Sequence, residues 1–210
     1  HDLLLPQLKV RSSVLRTGPF RNGPTTSISA PEYSIRFRAD GGYTVALGAK
    51  SKIYFDLTPD AFRLLPQFRK LAWMMRAHIS MRLGDRFGVE WQENRQNLLN
   101  VLRVNRVLDP KPLTAPLNKA RHALIRDFPG LTNTPIEEQW AGMIDVTPDA
   151  VPVISGVDDY PGLFIATGFS GHGFGIGPAA GELASDLITN QQPLVDPTPF
   201  RFSRFSDGSE

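Results

Sequence analysis

Gly162-Leu-Phe-Ile-Ala-Thr-Gly-Phe-Ser-Gly-His-Gly-Phe-Gly-Ile-Gly-Pro-Ala-Ala-Gly-Glu-Leu-Ala-Ser-Asp-Leu-Ile188 is the stretch whose reading decides the fold. It opens on a short apolar run, residues 163–166, of the length and composition of a buried strand. Five glycines follow, at Gly168, Gly171, Gly173, Gly175 and Gly177. Their spacing leaves no room for a helix to begin before the last of them. Pro178 suits a first helical turn, where an amide proton is not needed. Beyond it, Ala180, Leu183, Ala184, Leu187 and Ile188 fall on one apolar helix face. The expected unit is strand, long glycine loop, helix. Bare backbone in such a loop admits a ligand closely, and a helix start offers unpaired N–H groups with partial positive charge. The expected ligand is large, flat and electron-rich where it meets the helix.

A rival reading of the same glycines is weaker. Gly175-Ile-Gly177-Pro-Ala-Ala180 matches the G-x-G-x-x-A pattern of a dinucleotide fold. There, however, the first glycine follows the strand almost directly, and a second strand brings an acidic residue about 20 positions on. Here residues 167–174 intervene, and the chain after the helix runs into Asn190-Gln-Gln-Pro193.

Outward from this stretch, residues 8–15 read as a strand, and 17–31, with Gly18-Pro19 and Gly23-Pro24, as a loop placed to cover a site. Residues 34–40 alternate, with Ile35, Phe37 and Ala39 on one face. Gly41-Gly42 turns the chain into 43–47, with Tyr43, Val45 and Leu47 facing the same way, so a hairpin is expected. Residues 52–56 give a third strand. Thr58-Pro59-Asp60 is a helix start, and Pro66 breaks or restarts that helix. Phe68, Leu71, Ala72, Met75 and Ile79 continue an apolar stripe towards Gly84. Residues 89–91 and 101–108 are strand candidates. A second amphipathic helix over 114–128 stops at Pro129-Gly130. Strands at 137–145 and 151–155 flank the turn Thr147-Pro148-Asp149, and 193–210 reads as a loosely packed or frayed tail. The class is α+β, a mixed and largely antiparallel sheet with helices, followed by the strand–loop–helix.

Composition narrows the function. With 210 residues and 41% apolar content the chain can bury a substantial core. A net charge of +2 and no Lys/Arg block interleaved with aromatics argue against nucleic acid as partner. Zero cysteines exclude disulfides, thiolate metal sites and a cysteinyl cofactor link in this chain. No histidine pairs with another ligand at metal spacing, so no metal site is expected. Nothing resembles a membrane span or signal peptide, and a cytoplasmic protein is expected.

Trp140-Ala-Gly142, Thr147-Pro-Asp149, Val151-Pro-Val-Ile154, Gly162-Leu-Phe and Ala166-Thr-Gly-Phe-Ser-Gly-His-Gly-Phe174, in this order, resemble the C-terminal end of the D-amino-acid-oxidase-like FAD oxidoreductases. That family includes glycine oxidase, sarcosine oxidase and D-amino-acid dehydrogenases. The resemblance implies that residues 1–135 form a substrate-domain sheet with its helices, 136–190 the C-terminal part of an FAD-binding domain, and 191–210 a tail. It implies FAD as cofactor and an amine or amino acid as substrate, oxidised at its C–N bond by hydride transfer to the flavin. Family members begin with a strand, glycine turn and helix that hold the FAD diphosphate, whereas this chain begins His1-Asp-Leu-Leu-Leu5-Pro6. The expectation is therefore a fragment, the C-terminal half of a longer flavoenzyme. A non-catalytic half or partner subunit that cannot bind FAD alone is the alternative.

The loop Ser170, Gly171, His172, Gly173, Phe174, Gly175 and Ile176 becomes the candidate cofactor contact, mainly through backbone N–H groups that stabilise charge on the reduced ring. His172 is a candidate proton-handling group as well. Trp140 reads as core. On the substrate side the family often places a carboxylate-clamping arginine where this chain has Ile144, and sarcosine oxidases carry a lysine where it has Gly175. Neither clamp transfers, so Arg36, Arg38, Tyr43 and Tyr54 of the sheet are candidate replacements, and Tyr43, Tyr54, Gly142 and Ile144 are the substrate-side candidates.

Overall fold

The computed structural model describes residues 3–84 and 107–207. The strand candidate at 89–91, and that at 101–108 apart from Val107 and Leu108, which are not in a strand, lie outside the described residues. The chain divides into two compact units. One comprises His1–Val10, Thr58–Arg76 and Ile144–Glu210, the other Arg11–Leu57 and Ala77–Met143. The division falls within two long strands, β1 (Leu8–Thr17) and β7 (Ile136–Val146).

The second unit holds most of a mixed sheet. Its described order is β2 (Ile28–Ser29), β3 (Tyr33–Phe37), β4 (Tyr43–Leu47), β1, β5 (Ile53–Asp56) and β6 (Ile79–Arg82), with β7 also paired to β1. The expected hairpin is present: β3 and β4 pair antiparallel from Tyr33↔Leu47 to Phe37↔Tyr43. The turn works because Gly41 takes φ +84 and the Asp40 carboxylate accepts from the Gly42 N–H at 2.9 Å. Alternation puts Tyr33, Ile35, Tyr43 and Val45 inward. There they meet Leu117, Ala120, Ala123 and Leu124 of the helix α3 (Thr114–Asp127), which forms over the expected residues. Tyr43 is wholly buried, its ring edge-on to Phe37 at 5.7 Å and its hydroxyl donating to the Pro24 carbonyl at 2.9 Å. Below this layer the buried Arg11 guanidinium on β1 binds Asp56 on β5 and the Lys111 carbonyl. This pairing lets two charged groups lie among apolar neighbours.

β5 and β6 are parallel, and the chain between them carries helices α1 (Pro59–Arg63) and α2 (Leu65–Met74). The Thr58 hydroxyl accepts from the Ala61 N–H at 3.2 Å, the expected cap. Pro66 restarts the helix from within the first turn of α2. The apolar stripe is shorter than its spacing suggests. Of α2 only Phe68 is buried, Trp73 and Met74 are exposed, and Ile79 belongs to β6.

In the first unit β8 (Val153–Gly156) and β9 (Phe164–Thr167) form an antiparallel pair, on which α4 (Gly173–Thr189) packs. Ile154, Ala180 and Leu183 are its core, with Phe169, Ala184, Leu187 and Phe200 around them. Three sequence expectations change here. First, β9 is not buried: Phe164 and Ala166 face outward. Second, α4 starts at Gly173, not after Gly177, so Pro178 sits inside the helix. Glycine permits the helical backbone as readily as it permits others. Its cost of up to about 1 kcal/mol per residue relative to alanine is offset by packing of the Ala180–Leu183 face. Third, the described part of the tail forms two short 3-10 turns, Thr198–Phe200 and Phe202–Phe205. Phe200 joins the core cluster and Arg204 is only 4% exposed.

Candidate functional site

The site is built on the end of β7 and the turn between β9 and α4. At Gly168 the backbone turns left-handed, φ +74, and a Cβ there would lie 2.5 Å from the Thr147 side chain. Only glycine meets both conditions. Asp145 then gathers the loop. Its carboxylate accepts from the Gly168 N–H at 2.7 Å, from Gln7 Nε2 at 3.2 Å and from Thr167 Oγ1 at 3.3 Å. Its backbone carbonyl accepts from the Ser170 N–H at 3.1 Å. Ser170, also left-handed at φ +50, accepts from the Thr147 N–H through Oγ at 3.3 Å and donates to the Gly168 carbonyl at 3.1 Å. The serine hydroxyl is thus engaged in fixing the loop.

These bonds determine which amides remain. Not every amide of the candidate loop 170–176 is free. Ser170 is bonded to Asp145, and the His172 N–H donates to the Phe169 carbonyl at 2.8 Å. The Gly175 and Ile176 N–H groups both donate to the His172 carbonyl, at 3.1 and 3.3 Å. Among the described residues, the N–H groups of Gly171, Gly173 and Phe174 have no acceptor. They lie at the start of a 17-residue helix with no acidic residue in its first turn and no side-chain cap. Positive potential there is left uncompensated. Around them Gly171, His172, Phe174 and Gly175 are exposed, Phe174 fully so, and a Cβ on Gly175 or Gly177 would meet open space. Three free donors, bare backbone and an exposed ring fit the edge of a flat, electron-rich group.

The remaining candidates separate by unit. Ile144 lies under the loop, 3.6–3.7 Å from where a Gly171 Cβ would sit. The His172 imidazole has no hydrogen-bond partner among the described residues. Tyr43, Tyr54 and Gly142 belong to the sheet unit. There Tyr43 is core, Tyr54 is half-buried, and Gly142 is exposed with nothing near it. Trp140, expected in the core, is exposed. Gly175-Ile-Gly177-Pro-Ala-Ala180 lies wholly within α4, so it is not the strand-to-helix turn of a dinucleotide site. Among the described residues no group of His, Cys, Asp and Glu is placed to hold a metal. No helix there is long and apolar enough to cross a membrane.

Sequence reasoning missed Asp145, Gln7, Thr147 and Arg204. The one signal for Asp145 was its place as the polar residue in Met143-Ile144-Asp145-Val146. Asp149, read as a turn residue, does accept from the Val151 N–H at 3.0 Å, but it also takes both arms of Arg204.

The fold is shared with flavoenzymes of known structure. The FAD dependent oxidoreductase family model, DAO, matches residues 1–187, and the chain belongs to that family. L-Amino acid deaminase from Proteus myxofaciens, solved with anthranilate, superposes with TM-score 0.86 and 28% identity over 97% of this chain and 45% of its own. Glycine oxidase of Pseudomonas putida is 28% identical over 92 residues, 44% of this chain and 25% of the oxidase. N-methyl-L-tryptophan oxidase of Salmonella arizonae is 42% identical over 62 residues, 30% of this chain and 17% of that enzyme. The chain thus spans less than half the length of each of these relatives.

Proposed function

We propose that this chain is the substrate-domain and loop-bearing part of an FAD-dependent oxidoreductase that oxidises the C–N bond of an amine or amino acid. The observation that carries the reading is the set of free N–H groups on Gly171, Gly173 and Phe174 at an uncapped helix start. When bound, FAD supplies the ring that accepts hydride from the carbon bearing nitrogen. This chain's part is to hold three backbone donors rigidly, through Asp145 and Ser170, where negative charge grows on that ring. Preorganised donors of this kind act without reorganising during the reaction. Ile144, against the loop, is apolar at the position where the resembled family often places an arginine, so a substrate carboxylate is met elsewhere. Tyr54 and Gly142 remain the substrate-side candidates of the sheet unit, and Tyr43 acts through packing. A cytoplasmic place of work belongs to the same proposal and is tested by cell fractionation.

Gly173→Val in the flavin-loaded protein tests the reading. Its Cβ would meet the Phe169 side chain at 3.3 Å, and its branches would crowd the free N–H groups. Flavin release should quicken about tenfold or more, equivalent to about 1.4 kcal/mol. Release at the parent rate would refute the role given to the loop.

The small share of each relative's length that the chain spans, with outward apolar residues on β9 and α4, favours a companion reading. On that reading these 210 residues do not hold the FAD diphosphate themselves, and on their own they form a non-catalytic part. A purified 210-residue chain that is yellow would contradict it.

A further inference from the structure

We infer that Arg204, on the C-terminal tail, is a positioning residue for the loop of free N–H groups, acting through Asp149, Val151, Thr147 and Ser170. The inference rests on the proposed flavin reading for its consequence, but its physical content is a chain of bonds inside one unit.

Arg204 is nearly inaccessible at 4% exposure, and all three of its guanidinium nitrogens donate. Nε and Nη2 donate to the two Asp149 oxygens at 2.8 and 3.2 Å, Nη2 also to the Val151 carbonyl at 2.7 Å, and Nη1 to the Arg201 carbonyl at 2.9 Å. The guanidinium stacks over Phe205 at 4.1 Å. A planar fork of this kind fixes direction as well as charge. Burial alone would raise the Asp149 carboxyl, but the Arg204 hydrogen bonds, the Val151 N–H, the Arg204 charge and Thr147 together hold it below its ordinary value of 3.8. The clamp is therefore charged at neutral pH.

The clamp grips a strained turn. Ala150 is left-handed at φ +59, and the Val151 carbonyl that receives Arg204 also receives the Thr147 hydroxyl at 2.9 Å. Thr147 is wholly buried, and its N–H donates to Ser170 Oγ. Ser170 is itself held left-handed immediately before Gly171. Two strained residues, Ala150 and Ser170, thus lie at opposite ends of a bonded path whose anchor is on the tail. A second tail bond, from the Phe202 N–H to Ser155 Oγ at 2.9 Å, and the seating of Phe200 against the α4 core, keep Arg204 in place. If the tail only covered apolar surface, Phe200 would suffice. The five donated bonds of Arg204 and Thr147 onto Asp149, Val151 and Arg201 are aimed at the turn beneath the loop.

The test compares Arg204→Leu, Arg204→Lys and Leu183→Ala in the complete flavin-loaded protein, by amide exchange of the peptide spanning 168–176 and by flavin release. Leu183→Ala is the control, because it weakens the same unit through its core without touching this path. At temperatures chosen for equal overall stability, Arg204→Leu should speed exchange at Gly171, Gly173 and Phe174 about tenfold more than Leu183→Ala. Arg204→Lys, with the charge but not the fork, should fall between. Combined with Ser170→Ala, the Arg204→Leu effect on exchange should shrink, because both cut one path. Equal loop exchange in Arg204→Leu and Leu183→Ala, or strict additivity with Ser170→Ala, overturns the inference. Faster loop exchange with unchanged flavin release would support the positioning role and instead count against the flavin reading. Should Arg204→Leu fail to fold, Arg204→Lys against the same control decides alone.

Discussion

At the scale of single residues, the glycines of the loop do different work, although they look alike in sequence. Gly168 is needed for both φ and space, since its Cβ would lie 2.5 Å from Thr147. Gly175 is helical and has nothing within 4 Å of where a Cβ would be. Gly168→Ala should therefore destabilise the chain by about 1–2 kcal/mol for the left-handed backbone alone, with the contact adding to it. Gly175→Ala should stabilise it by about 0.5–1 kcal/mol, because alanine loses less freedom on entering a helix. Thermal melts of the two variants check the opposite signs. In the proposed function Gly175 is kept bare at this cost, so Gly175→Ala should also hold flavin less well while melting higher. A variant that both melts higher and retains flavin as well as the parent would show that the bare backbone at 175 is not used.

At the scale of elements, the join between sheet and helix in the second unit is a titratable one. Tyr33 on β3 donates to Asp127, the last residue of α3, at 2.9 Å. Burial first, then the Asp127 hydrogen bond and charge, push the Tyr33 phenol from 10.0 up to about 12, with Arg126 opposing. The folded state therefore favours the protonated phenol. Its contribution is complete below pH 10 and is lost as pH rises towards 12. Denaturant midpoints should fall across that window. Tyr33→Phe should flatten part of the fall and cost about 1 kcal/mol at neutral pH, with Tyr43, raised by burial, supplying the rest. An unchanged slope in Tyr33→Phe would show the bond to be idle. This join was half legible. The alternation of Tyr33, Ile35, Tyr43 and Val45 and the spacing of Leu117, Ala120 and Leu124 mark both faces, because period 2 and period 3.6 are written in the residues themselves. The hydroxyl-to-carboxylate bond is not, since residues 94 positions apart share no period. The same reason hid Arg204, 55 positions from Asp149. The start of α4 was misplaced for a different cause. Propensity treats glycine as a stop, and tertiary packing of Ala180 and Leu183 outweighed it.

At the scale of the whole molecule, the outward apolar residues of the first unit set the last expectation. β9 pairs only with β8 among the described strands, and Leu163 and Phe164 are 42% and 39% exposed. On α4 Phe174, Ile176 and Ile188 are exposed as well, while only Ala180 and Leu183 are buried. Single exposed apolar residues are ordinary, but in the proposed reading two packed elements that both turn large apolar side chains outward are a surface that another segment covers. Each such side chain contributes about 1.5–3 kcal/mol when fully covered, which is ample to hold a flavin-binding segment in register with the loop. The chain alone should bind a hydrophobic dye and remain colourless with added FAD. It should lose the dye and turn yellow when joined by a separate segment that carries a diphosphate-binding site. Phe164→Lys and Ile176→Lys should lower dye binding without lowering the melting point, since neither side chain is in the core. Both should also reduce flavin uptake by the joined protein at least tenfold, because a lysine ammonium on a covered apolar face must be desolvated. If both variants take up flavin as the parent does, β9 and the outer face of α4 are ordinary surface and the covering segment lies elsewhere.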